Sequence, residues 1–189
     1  MNLPPASPDE EGHSATQERS RQLAHAQQAA LEFRRALTTV ILGTVSASGD
    51  PEASVAPAVL GPDGSFLVYV SSLAAHTRNL LHSRKASVLL VEDEAKSSQP
   101  MARRRMTFAC SVHPLVRDTG EFAASMPAFR QRFGAIVTQL ESLPDFQLFR
   151  ITPQRGRLVL GFGQAYDVDP IDWSRLTRVG PGGAAPPRA

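Results

Sequence analysis

Between Arg19 and Leu37 the apolar residues Leu23, Ala26, Ala30, Phe33 and Leu37 recur at steps of three and four. That spacing predicts an amphipathic helix over 19–37. The period then shortens. TTVILGTVS (38–46) is rich in β-branched residues and reads as a buried strand. SGDP (48–51) is a turn, and EASVAPAVL (52–60) a second strand in which Pro57 marks an edge or a bulge. GPDG (61–64) reads as a hairpin turn into a third strand, SFLVYVSS (65–72). The stretch AAHTRNLLHSRK (74–85) predicts a short helix, and KASVLLVEDE (85–94) and RRRMTFACSVHPLV (103–116) a fourth and a fifth strand. Helical pieces follow over 119–142, with Pro127 placed in a first turn, where its missing N–H costs nothing. DFQLFRITP (145–153) and GRLVLGFGQAYDV (156–168) read as a second hairpin folded at PQRG.

Short strands joined by tight turns exclude a parallel sheet, which needs a long crossover between strands. The pattern predicts an α+β fold built on a small antiparallel barrel with flanking helices. Residues 1–18, dominated by Pro, Ser, Glu, Asp and Gly, read as a disordered tail, 19–169 as the domain, and 170–189 as a flexible second tail.

Composition narrows the chemistry. The net charge is only +2, and the lysines are just Lys85 and Lys96. This falls short of the basic stripe of a nucleic-acid binder. No apolar run approaches the roughly 20 residues of a membrane-spanning helix, and the acidic, Pro-rich start lacks the order of a secretory signal. A cytoplasmic protein is the expectation. Cys110, alone in the chain, makes no internal disulfide and no cysteine-rich zinc site, and reads as a small buried apolar residue. The five histidines do not pair at metal-ligand spacing, and no Gly-x-Ser-x-Gly elbow is present.

Three stretches could carry chemistry. His76, Thr77, Arg78 and Asn79 cluster at the start of the short helix. Backbone N–H groups there bind anions, to which a hydroxyl, a guanidinium and an amide could add. The alternative is a solvated surface turn. Arg103, Arg104 and Arg105 open the fifth strand. They either line a pocket mouth or pair with the acidic run Glu92-Asp93-Glu94. Gly161-Phe162-Gly163 marks either a ligand's close approach or a bend in the barrel wall.

Taken together, GDPEASVAPAVLGPDGSFLVYVSSLAAHTRNLLHSRKASVLLVEDEAKSSQPMARRRMTF and DFQLFRITPQRGRLVLGFGQAYDV resemble the HugZ-type haem-utilisation family, over about Ala24 to Val168. That family lies within the pyridoxamine-phosphate-oxidase-like, FMN-binding split-barrel superfamily. The resemblance implies a six-stranded split barrel and a homodimer with ligand clefts at the interface. By position it implies that His76, Thr77, Arg78 and Asn79 help to hold an FMN phosphate. Ser71 and Ser72, and Arg104 and Arg105, would flank the cofactor, and the strand bearing Glu52, Ala53 and Ser54 would run along the isoalloxazine. Haem-binding members use an axial histidine beyond the Gly-Phe-Gly-x-Ala-Tyr motif, whereas this sequence has no histidine after His113. An Asp at the position of Asp145 supports that ligand in those members. Three readings therefore stand: an FMN-dependent oxidoreductase on a small substrate, a haem-binding or haem-degrading protein, and a scaffold whose barrel serves only assembly.

Overall fold

In a computed structural model that describes residues 8–180, eight strands form one antiparallel sheet that closes on itself. Helix α1 (Pro8–Ala36) leads into β1 (Thr39–Val45), β2 (Pro51–Leu60) and β3 (Phe66–Ser71). Helix α2 (Ala75–Ser83) precedes β4 (Lys85–Val91) and β5 (Arg105–Leu115). Helices α3 (Gly120–Phe133) and α4 (Ile136–Glu141) precede β6 (Phe146–Gly161), β7 (Gln164–Val168) and β8 (Leu176–Arg178). The strand order β3-β2-β1-β4-β5-β6 is closed by pairing of β3 with β6, which gives the six-stranded barrel; β7 and β8 extend it beyond β6 as a ribbon. Among the described residues no helix is long and apolar enough to cross a membrane.

Local sequence explains the joints. Gly49 and Gly64 hold the SGDP and GPDG turns at φ 92° and 79°, a region glycine enters without steric cost. Pro57 lies where β2 leaves β1 and meets β3: residues 51–57 pair with β1, and 58–60 with β3. Gly156 faces Phe108 so closely that a Cβ there would lie 2.6 Å from the ring.

The barrel interior is filled by Leu42, Val68, Val88, Phe108, Ile151 and Leu158, all fully buried. A second core of Leu67, Tyr69, Phe122, Met126, Phe129 and Leu148 seals α3 and α4 against the outer face of β3 and β6. Arg117 anchors this layer, donating to the carbonyls of Glu141, Leu143 and Phe146 and to the Tyr69 hydroxyl.

Three expectations change. PQRG is not a turn. β6 runs through it, and Gln154 is an extra residue, because Ala109 pairs with Arg155 and Cys110 with Pro153. The core-facing positions shift with this bulge, from Phe149 and Ile151 before it to Leu158 and Leu160 after it. The hairpin turn lies instead at Gly161-Phe162-Gly163, joining β6 to β7, with Gly163 at φ 67°. Pro127 lies inside α3, because Thr119 caps the helix by accepting from the Phe122 N–H and so starts it at Gly120.

The two tails are also shorter than expected. Helix α1 starts at Pro8, so only 1–7 of the N-terminal tail lies outside the described residues. At the other end, 170–180 folds back onto the barrel, and 181–189 lies outside the described residues. Trp173 is 1% exposed, against Phe108 at 5.0 Å and Phe66 at 5.9 Å between ring centroids. The Arg34 guanidinium of α1 sits 5.4 Å over it. β3 begins at Phe66 beside this tryptophan and ends at Ser71 beside α2. Trp173 and α2 therefore stop opposite ends of the barrel.

Candidate functional site

The turn from β3 into α2 is built from hydroxyls. Ser71 Oγ donates to Asp145 Oδ2 at 2.5 Å and accepts from the Leu73 N–H. The Ser72 N–H donates to the Asp145 carbonyl at 2.8 Å. Thr77 is fully buried, and its Oγ1 donates to the Ser71 carbonyl at 2.6 Å. Asp145 thus acts as a turn partner that fixes Ser71 and Ser72 at the mouth of α2.

One helical turn later, Asn79 Nδ2 donates inward to Thr44 Oγ1 at 3.1 Å and to Glu52 Oε2 at 3.0 Å. His76 Nδ1 pairs with Ser54 Oγ at 2.9 Å, while its Nε2 is buried without a partner. Burial pushes the imidazole below its ordinary range, partly opposed by the Glu52 carboxylate. Alternation along β2 puts Glu52 and Ser54 on the α2 side and turns Ala53 to the outer face of the barrel. Thr44 joins the cluster although it did not stand among the sequence candidates, and Glu52 joins it from the strand that the resemblance sets along the cofactor. The signal for Glu52 was its two-residue spacing from Ser54.

Arg78 is the exposed member, with a single long contact from Nη1 to the Leu73 carbonyl at 3.4 Å. No side chain caps the start of α2, and no acidic residue lies in its first turn. Of the four residues at this helix start, Arg78 is the one whose charge faces solvent. Thr77 and Asn79 spend their polar groups on the fold.

Arg104 and Arg105 stand elsewhere. β5 reaches α2 at Val112, whose N–H donates to the Arg84 carbonyl. Arg105, seven residues along the strand, is about 24 Å away at the usual rise. Arg104 is held by Glu92 at 2.6 Å and by Glu32 at 3.1 Å, and Arg103 by the Glu92 carbonyl and Glu94. The pairing of these arginines with the acidic run is therefore what one chain displays. Cys110 is buried as expected, its thiol pushed up to about 12 by desolvation. Among the described residues no cluster of His, Cys, Asp or Glu could hold a metal ion.

The outer face of β2, β1, β4 and β5 is small and apolar. Val55 is 63% and Val45 45% exposed. A hollow of about 700 Å³ between these strands is lined by Gly43, Ala53, Ala86 and Cys110, with Glu52 and Lys85 at its edge.

The family model described as pyridoxamine 5'-phosphate oxidase matches residues 26–160. The chain is 40% identical over 148 residues to the haem oxygenase HutZ of Vibrio cholerae, spanning 77% of this chain and 84% of that one. The crystal structure of V. cholerae HutZ, described as a haem storage protein, superposes with a TM-score of 0.67 at 35% identity, over 72% of this chain and 94% of the other. Campylobacter jejuni ChuZ superposes with a TM-score of 0.73 at 25% identity, over 88% and 67%. A haem-binding protein from Mycobacterium smegmatis does so with a TM-score of 0.63 at 28% identity, over 77% and 60%. Closed barrel, strand order and relatives agree, and the chain belongs to the HugZ-type haem-utilisation family within the pyridoxamine 5'-phosphate oxidase-like split-barrel superfamily.

Proposed function

We propose that this protein binds haem, in a cleft between two copies of the chain that includes the start of α2. The observation that carries this reading is the 40% identity to a haem oxygenase across most of that protein's length. The donor set at α2 is compatible with it. Arg78 offers a solvent-facing guanidinium to a propionate. His76 holds its Nδ1 on Ser54 and leaves Nε2 without a partner. An imidazole oriented through one nitrogen, with the other uncommitted, is the arrangement a metal ligand takes. His76 is accordingly the proposed iron-side residue, in place of the histidine that relatives carry beyond β7. Pairing of two chains through the apolar face around Val55 and Gly43 would bury surface that none of the described elements covers.

The test is a haem titration of the purified protein followed in the Soret region. A saturable shift at one haem per chain is expected. Arg78→Ala should weaken binding about tenfold, the loss of one charge-assisted contact, and His76→Ala should move the Soret maximum. A spectrum unchanged by stoichiometric haem would overturn the reading. A second reading, FMN binding, rests on the uncapped, acid-free start of α2 beside Arg78, which suits a phosphate. Retention of added FMN by a protein that ignores haem would favour it.

A further inference from the structure

Helix α1 and the β7–β8 ribbon leave a groove of about 860 Å³ between them, within the range of small-molecule sites. We propose that this groove binds an apolar carboxylate. Its apolar wall is made by Leu23 of α1 with Ala165 and Leu176 of the ribbon. Tyr166 also lines it; the residue is 1% exposed, and its hydroxyl is buried without a hydrogen-bond partner. Buried hydroxyls in folded proteins nearly always have a partner, so this one calls for an acceptor that the described residues do not supply.

Two cations stand at the rim. Arg178 donates only to neutral groups, Gln22 Oε1 at 2.9 Å and the Gly163 carbonyl at 3.5 Å. Arg19 has no acidic partner among the described residues. Glu18, the residue before it, accepts from Gln22 Nε2. Elsewhere on the ribbon Asp167 matches the cation Arg157 of β6 at 2.9 Å. The groove thus combines unpaired positive charge, an apolar wall and one buried donor. A carboxylate would meet Arg19 and Arg178, its apolar body would cover Leu23 and Leu176, and a turn of the Tyr166 ring that brings its buried hydroxyl to the groove would give that donor an acceptor. The chemistry suits a fatty acid or a tetrapyrrole propionate. The site is separate from the start of α2, and its test does not depend on haem binding there.

The probe is 11-(dansylamino)undecanoate, titrated into the full chain and read by energy transfer from Trp173, the single tryptophan. Saturable binding is expected. Arg19→Gln with Arg178→Gln should raise Kd at least tenfold, and Tyr166→Phe about fivefold. Arg35→Gln, on the far end of α1, should leave it unchanged. Displacement of the probe by dodecanoate assigns the site to alkyl carboxylates, and displacement by haem to tetrapyrroles. The proposal fails if neither displaces it, if the double arginine variant binds as tightly as the parent, or if the uncharged undecanamide analogue does.

Discussion

Trp173 shows how far one side chain can act from an unpatterned stretch of sequence. It stands among Pro170, Asp172 and Ser174 with no apolar period around it, yet it closes the barrel against Phe66 and Phe108. Trp173→Ala should cost about 3–5 kcal/mol, measured as a lower urea midpoint by circular dichroism. His76 carries a second consequence. Its folded-state affinity for protons is lowered by burial from an ordinary value of 6.5. The unfolded chain therefore binds the proton more readily, and the contribution of His76 is complete above about pH 6.5 and lost as the pH falls below it. Stability should drop between pH 7 and pH 5, and His76→Asn should flatten that slope in denaturant titrations at each pH.

At the scale of elements, the bulge at Gln154 lets one strand serve two phases. Pairing with β3 and the second half of β5 requires Phe149 and Ile151 inside; pairing with β7 and the first half of β5 requires Leu158 and Leu160 inside. Removing Gln154 takes out the extra residue, so Leu158 and Leu160 each move one place and stay inward in a regular strand. The deletion variant should stay soluble and unfold cooperatively by circular dichroism, whereas one alanine inserted between Arg157 and Leu158 should turn Leu158 and Leu160 outward and abolish that transition. The strands from β1 to β5 were legible because each half-buried run alternates or is β-branched, and their turns carry glycine at positive φ. The bulge was not, because Pro153 and Gly156 flank it and mimic turn chemistry. Among the site residues, the arginine cluster and its acidic partners could be paired by eye, since both lie at the joined ends of neighbouring strands. The links from Asn79 to Glu52 and Thr44 could not, because they span 27 and 35 residues and exist only once α2 folds over β1 and β2.

At the scale of the molecule, the helices are unevenly shared. α3 and α4 cover one side of the barrel and α1 packs toward the ribbon, while the face around Val55, Gly43 and Ala53 stays bare. Exposed contiguous apolar surface of this kind marks an interface. Light scattering should give twice the monomer mass, and Val55→Glu should shift the protein toward monomer with its circular dichroism unchanged. If the haem cleft lies between the two chains, the same substitution should weaken haem binding as well.

β6 is the partner of β3, β5 and β7 alike, and it spans residues 146–161. A ribosome making this chain releases β1 to β5 first, as a five-stranded sheet with β3 and β5 as its open margins. Until residues 146–161 emerge, both margins present unpaired backbone to whatever is nearby. Closure then joins Phe66 to Ile151, contacts far apart in sequence whose formation is slow. The strand that completes the barrel is thus also its timing element, and nascent chains stalled before Phe146 should be the ones that engage chaperones.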